Sequence, residues 1–205
     1  MARVTAERAK ETKRELLDAA QKVLLDEGYA GLSTRRVAEA AGTQMSQIQY
    51  HFGSKEGMIL ALFEYLNDQL IDRQAEAFED PKLSVSEKWK LSCNYLDQDI
   101  ASGYVRVLME LTAAGWSNPA IGLAVRSAYA QWRDLILKLA REIETQNGSL
   151  GPFSAEDIAA LVSAAFIGAE AAIALDYETP EIPFRSALRK FGRVIEMFET
   201  PKKEE

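Results

Sequence analysis

The chain has 205 residues, 47% hydrophobic and 27% charged, a balance that suits one ordinary globular unit or two small domains and argues against extensive disorder. A single cysteine, Cys93, and a single histidine, His51, exclude an internal disulfide, a CxxC zinc pattern and a histidine metal cluster, and leave little for a nucleophile–histidine relay. The net charge of −7 is uneven: residues 1–60 carry nine Lys+Arg against eight Asp+Glu, and the remainder fifteen against twenty-three. A basic amino-terminal end on an acidic body either meets a polyanion or is an ordinary solvated tail. The Gly-rich stretch Asn147–Pro152 fits no phosphate-loop fingerprint, so no cofactor is expected. No run of about 18 apolar residues suggests a bilayer span, and the amino-terminal end is charged where a signal peptide is apolar. A cytoplasmic chain with no membrane partner is the expectation.

Taken in chain order, apolar residues recur at helical spacing and nowhere alternate as in a strand. Leu16, Ala20, Val23 and Leu24 place one stripe on a helix from about Thr5 to Glu27, stopped by Gly28. Ser33 or Thr34 caps a short helix through Ala41, Gly42 ends it, and another short helix follows from Gln44 to His51. Ser54 starts a long helix to about Phe78, broken by Asp80-Pro81. Ser84-Val-Ser-Glu87 reads as a capping box for a helix to Ala101, and Gly103 separates it from another over Tyr104–Ala114. Asn118-Pro119 opens a long helix to Gln146, and a weaker capping box at Ser154–Asp157 opens one to Asp176. The last helix spans Phe184–Phe198, and the charged tail from Pro201 is expected to fray. The fold class is all-α with about nine helices, three of them within the first 52 residues.

The informative segment is Leu32–Phe52, where two short helices meet at Gly42. Val37, Ala38 and Ala41 face inward from the first helix, and Ile48 and Phe52 from the second. Gln44, Gln47, Gln49 and Tyr50 then face outward, with Met45 and Ser46 at the border. Such a face suits base edges and phosphates in a major groove, but a plain helical hairpin with a polar solvent face has the same pattern.

This stretch and its continuation resemble the DNA-binding domain of the tetracycline-repressor (TetR) family of bacterial regulators. The likeness rests on Gly28-Tyr29, Ser33-Thr34, Val37-Ala38, Ala41-Gly42 and, above all, Tyr50-His51-Phe52-Gly53-Ser54-Lys55-Glu56-Gly57, and it covers about residues 10–60. Gln44, Ser46 and Gln49 depart from a frequent serine, glycine and tyrosine, which bears on the operator sequence rather than on the fold. The resemblance implies a phosphate contact from Thr34 and a backbone or guanine contact from Arg35. It places Gln44, Met45, Ser46 and Gln49 over bases, Gln47, Tyr50 and His51 against sugar and phosphate, and Lys55 on a phosphate. It also divides the chain into a helix-turn-helix domain, 1–53, and a larger effector-binding and dimerisation domain, 54–205.

In the body, Ile158, Leu161, Ala165, Gly168, Ala172 and Leu175 form one apolar seam, and Phe184, Leu188, Phe191, Ile195 and Phe198 another. Val162, Phe166 and Ile173 make the first of these helices apolar on its other side too, so it needs burial on two sides. A homodimer interface through Leu161, Ala165, Gly168, Ala172, Phe184, Leu188, Phe191 and Ile195 satisfies that need, as does an intrachain core. Between Phe63 and Leu139 the large residues include Tyr65 and Trp89, and the expected wall of a ligand pocket is Tyr95, Tyr104, Met109, Trp116, Tyr129 and Trp132. Glu110 and Glu170 interrupt apolar runs, where a carboxylate holds a cationic ligand, pairs with an arginine or sits on an exposed edge. His51 is expected to contact phosphate or to be structural, and Cys93 to be a small core residue. The combined expectation is a ligand-responsive repressor: a dimer on a palindromic duplex DNA operator, released by a small hydrophobic effector. A helical small-molecule binding protein without specific DNA binding is the alternative; an enzyme is not expected.

Overall fold

The computed structural model describes residues 2–199, with side chains from Glu7 onward; the tail from Pro201 lies outside them. Nine helices are found among the described residues: α1 (Ala2–Gly31), α2 (Thr34–Ala40), α3 (Met45–Phe52), α4 (Lys55–Glu79), α5 (Val85–Ala101), α6 (Tyr104–Gly115), α7 (Pro119–Asn147), α8 (Ala155–Ala174) and α9 (Phe184–Glu199). The only extended pairing among them is an isolated bridge, Thr179 to Ile182. The caps are those the sequence names. Ser84 and Glu87 exchange both bonds of a capping box (2.8 and 3.2 Å), and Ser154 and Asp157 do the same (3.0 and 3.1 Å). The Asn118 carboxamide accepts from Ala120 and Ile121 at 3.0 and 3.3 Å, starting α7 at Pro119. The backbone turns non-helical at Gly28, where the helix was expected to stop, and helical bonding resumes for three further residues.

The chain forms two compact units: residues up to Asp68 with Ser102–Ala124, and Gln69–Ala101 with the residues from Val125 on. In the first, Leu16, Ala20 and Leu24 of α1, Val37 of α2, Ile48 of α3, and Met58, Leu62 and Phe63 of α4 are buried together with Tyr104, Leu108 and Leu111 of α6. Gln21 donates to the Ser102 carbonyl (2.9 Å), and the Tyr104 hydroxyl donates to Asn67 (3.0 Å) beneath a stacked Phe63 ring. In the second, α5 packs on α9 and α8, and a core runs from Phe78 through Trp89, Cys93 and Trp132 to Phe166 and Ile195. Trp89 anchors it, donating its indole N–H to the Leu188 carbonyl (2.7 Å) and meeting Phe166 and Phe191 edge-on. Cys93 is a buried core residue as expected, its thiol pushed up to about 11 by burial.

One expectation is corrected here. α8 is long and apolar enough to cross a membrane by length and composition. Its Ala159, Phe166 and Ile173 pack into the core of the second unit, while only 33% of the apolar span is buried within the chain.

Candidate DNA-binding surface and helical body

The helix-turn-helix is fixed by a few local devices. The Ser33 hydroxyl accepts from the Arg36 N–H (3.3 Å), capping α2. Gly42 turns the chain with φ of 63°, where an L side chain is strained, and Thr43 N–H reaches back to the Ala38 carbonyl (2.9 Å). Gln44 stands at the start of α3 without a side-chain capping bond. The carboxamide of Gln44 is therefore not spent on its own backbone. Ile48 is 1% exposed and pins α3 to α2. One register around it, Gln44, Met45, Ser46, Gln49 and Tyr50 are exposed, Tyr50 to 76%. Gln47, His51 and Thr34 are half-buried at the margin, and Arg35 and Lys55 are exposed. All ten residues expected to meet DNA thus lie in α2, in α3 with its N-cap Gln44, and at the start of α4, within the first unit.

Charges there are partly committed. Arg35 pairs with Glu39 (2.9 Å), and Arg36 pairs with Glu27 and with Glu39, which ties α1 to α2. Those contacts hold the Glu27 carboxyl below its ordinary range, the Arg36 hydrogen bond being the main cause. Burial pulls the His51 imidazole down, with Lys13 adding to the effect, so it is neutral at pH 7 and sits edge-on to Tyr50. Lys13 itself lies over the Phe52 ring at 5.9 Å.

The residues expected around an effector are divided between the units. Tyr104, Met109 and Trp116 belong to the first, and Tyr95, Tyr129 and Trp132 to the second. Trp116 is 88% exposed, because it caps α6 beyond the last buried residue, Leu111; it is not a buried wall. Tyr95 carries the Arg73 guanidinium over its ring at 4.6 Å, and Trp132 packs on Phe166 at 5.0 Å with its indole N–H unbonded. Tyr129 lines a shallow groove with Arg126 and Ser163.

The two interrupting glutamates separate cleanly. Glu110 is exposed. Glu170 is 5% exposed on the inner face of α8 and pairs with no arginine among the described residues; burial first, and the Asp99 charge second, push its carboxyl well above the ordinary range. Asp99 is 3% exposed and paired with Arg73, yet burial raises its carboxyl to about 6.

Six of the expected pairing residues, Leu161, Ala165, Gly168, Phe184, Leu188 and Phe191, line one apolar groove between α8 and α9. Leu161 is 59% exposed, and Ala172 is half-buried on the same helix. Ile195 is the exception at 7% exposure: it belongs to the core, since α9 turns Gly192 and Ile195 inward while Phe191 and Val194 face out. Sequence reasoning passed over Val194, Met197 and Tyr177, which add to the exposed apolar surface. A second cavity, walled by residues of α5, α7, α8 and α9, also went unnoticed, because its wall crosses four helices and a loop.

Fold and surface together define an all-α protein with an amino-terminal helix-turn-helix and a helical body. The family model described as "Bacterial regulatory proteins, tetR family" matches residues 16–62. Over this segment the chain is similar to the tetR family of bacterial regulatory proteins. It is 42% identical over 71 residues to the HTH-type transcriptional regulator CymR of Pseudomonas putida, covering 35% of each chain. The chain thus spans about a third of the length of the curated relatives it matches first. Among solved structures, FadR from Bacillus subtilis in complex with stearoyl-CoA superposes with a TM-score of 0.71 at 15% identity, over 89% of this chain and 96% of that one. A regulator from Saccharomonospora viridis in complex with choline gives 0.72 at 19% identity, over 90% and 95%. At these identities the structural likeness establishes the fold.

Proposed function

We propose that this chain is a ligand-responsive transcriptional repressor, not an enzyme, that binds a two-fold-symmetric DNA operator as a homodimer and leaves it when a small hydrophobic effector binds. The observation that carries the reading is the outward row Gln44, Met45, Ser46, Gln49 and Tyr50, anchored from behind by a fully buried Ile48. Glutamine carboxamides bond bidentately to adenine and a methionine methyl meets a thymine methyl, so each half-site contains A·T pairs. Thr34, Arg35, Gln47, His51 and Lys55 border that row and serve the sugar–phosphate backbone, with Lys55 at the start of α4, where the helix dipole adds to its charge. The functional division is residues 1–53 for DNA and 54–205 for effector and pairing.

Pairing is supported by the apolar groove between α8 and α9, where Ala165 and Gly168 let a second backbone approach closely. Effector binding is supported by the groove that Tyr129 lines and by the stearoyl-CoA and choline complexes of the structural neighbours. Tyr95, Tyr129, Trp132 and Glu170 are the proposed effector contacts within the second unit, and Tyr104 and Met109 within the first. The site of action is the cytoplasm, with double-stranded DNA and a second copy as partners.

The rival reading is a helical ligand-binding protein without specific DNA binding. It is favoured by one observation: Arg35 and Arg36 are both paired within the chain, to Glu39 and Glu27. Titration of a selected duplex at several salt concentrations separates the two. Specific binding with a steep salt dependence supports the repressor; its absence at every salt concentration overturns it.

A further inference from the structure

The cavity between the start of α5, the second half of α7, the start of α8 and the end of α9 has a volume of about 310 Å³ and belongs wholly to the second unit. Its wall is chemically uniform. Of the fourteen lining side chains, which include Ala140, Ile143, Ile158 and Phe198, only Trp89 contains a polar atom. That atom, the indole nitrogen, already donates to the Leu188 carbonyl at 2.7 Å. A ligand group that needs a hydrogen bond or a counter-charge finds neither here and loses its water for nothing. An apolar surface finds the reverse: apolar contact along the whole wall, in a space that holds water poorly. An apolar void of about 150 Å³ already takes up benzene, so a space twice that size fits a two-ring hydrocarbon or a short alkyl chain. Phe153 and Phe198, 46% and 43% exposed, stand at the mouth and leave a path from solvent.

We infer that this cavity is a binding site for an uncharged hydrocarbon group, either a free small hydrocarbon or the apolar tail of an amphiphile. None of the six residues expected to wall a ligand pocket lines it, and it selects by the absence of polar partners rather than by any contact. The inference names the chemistry of a ligand and does not depend on DNA recognition.

The test uses the full chain and four probes: naphthalene, 2-naphthoate as its anionic counterpart, octyl glucoside for an amphiphile's tail, and xenon. Binding is followed by calorimetry for the first three and by xenon NMR for the last. Two cavity-filling substitutions, Ala140→Leu and Ile158→Phe, are compared with the parent, with thermal melting as a check that each remains folded. The expected result is binding of naphthalene and xenon, at least tenfold weaker binding of 2-naphthoate, and at least tenfold loss of naphthalene in either folded variant. Octyl glucoside binding competitively with naphthalene assigns the site to an amphiphile's tail, and naphthalene binding alone assigns it to a free hydrocarbon. Failure of both naphthalene and xenon to bind, or naphthalene binding undiminished in a folded variant, overturns the inference. Operator binding measured on the same preparations keeps the repressor reading separate: its loss removes that reading and leaves the cavity result standing.

Discussion

Gly57→Ala sets two effects against each other at the junction between α3 and α4. Gly57 lies in the first turn of α4, where helix propensity alone favours alanine by about 1 kcal/mol. An added Cβ, however, would stand 2.2 Å from the Phe52 carbonyl oxygen and 3.3 Å from its carbon. Real Cβ contacts essentially never fall below 3.0 Å, so the end of α3 and the start of α4 must separate by about 0.8 Å. The clash is with backbone, which cannot swing aside as a side chain can. Overpacking of this kind costs about 1–3 kcal/mol, enough to outweigh the propensity gain. In a chain of this length, that net loss lowers Tm by about 2–4 °C per kcal/mol. The same displacement moves α3 relative to α2, so operator affinity falls along with stability. Gly53→Ala is the control, because Gly53 has φ of 73° with nothing within 4 Å of its Cβ position. Its cost is purely conformational, about 1–2 kcal/mol, and Gly53→Asn recovers part of it because asparagine tolerates that region. The assay is thermal melting followed by operator titration of each variant. A Gly57→Ala protein that melts higher than the parent would refute the close-approach argument.

Four further outcomes are expected. Gln49→Ala should cost about 1–3 kcal/mol at one base pair of each half-site and leave the rest of the motif unchanged, read by titrating single-substituted duplexes. Lys55→Ala should instead weaken binding to all duplexes alike and reduce the salt slope by about one. Leu161→Glu, at a position 59% exposed in the single chain, should leave the fold intact yet place two carboxylates in the pairing surface. At roughly 1.5 kcal/mol or more per copy, the dimer dissociation constant should rise about 100-fold in sedimentation equilibrium. Glu170→Gln should raise stability at pH 7, because the amide has no charged form to be favoured in the unfolded chain. The Glu170 carboxyl is raised in the folded chain, so the native state holds a proton that the unfolded state releases above 4.5. Stability therefore falls as pH rises from there through the folded value, and the variant lacks that decline. Asp99, raised to about 6, keeps its own decline between 3.8 and 6, so the two proteins diverge most clearly above pH 6.

Helix boundaries were legible because their signals are local. A Ser–Glu or Ser–Asp pair three apart, a proline after asparagine, and glycines at Gly42 and Gly103 each act within a few residues, and the helices begin and end beside them. The outward face of α3 was legible for the same reason, since one buried isoleucine on an eight-residue helix decides which side chains point out. The body was less so. Periodicity distinguishes the faces of a helix but not which neighbour covers each one: Ile195 and Phe191 share a seam in sequence, yet one is core and the other surface. Trp116 looked like a pocket wall from its residue type, and only the end of α6 decides that it stands in solvent. Glu170 shows the limit from the other side, because its lack of an arginine partner depends on where Arg73 goes, and Arg73 goes to Asp99. The cavity beside Trp89 depends on four helices and a loop, and no local pattern encodes a space.

The most direct test of the account is selection of bound sequences from random duplex DNA by the full chain, followed by affinity against salt for the enriched motif. The account predicts a two-fold-symmetric motif with A·T pairs in each half-site, half-site centres about 34–36 Å apart, and loss of the pattern at one position in Gln49→Ala. Binding that enriches no motif, with the same affinity for every duplex at each salt concentration, would contradict it.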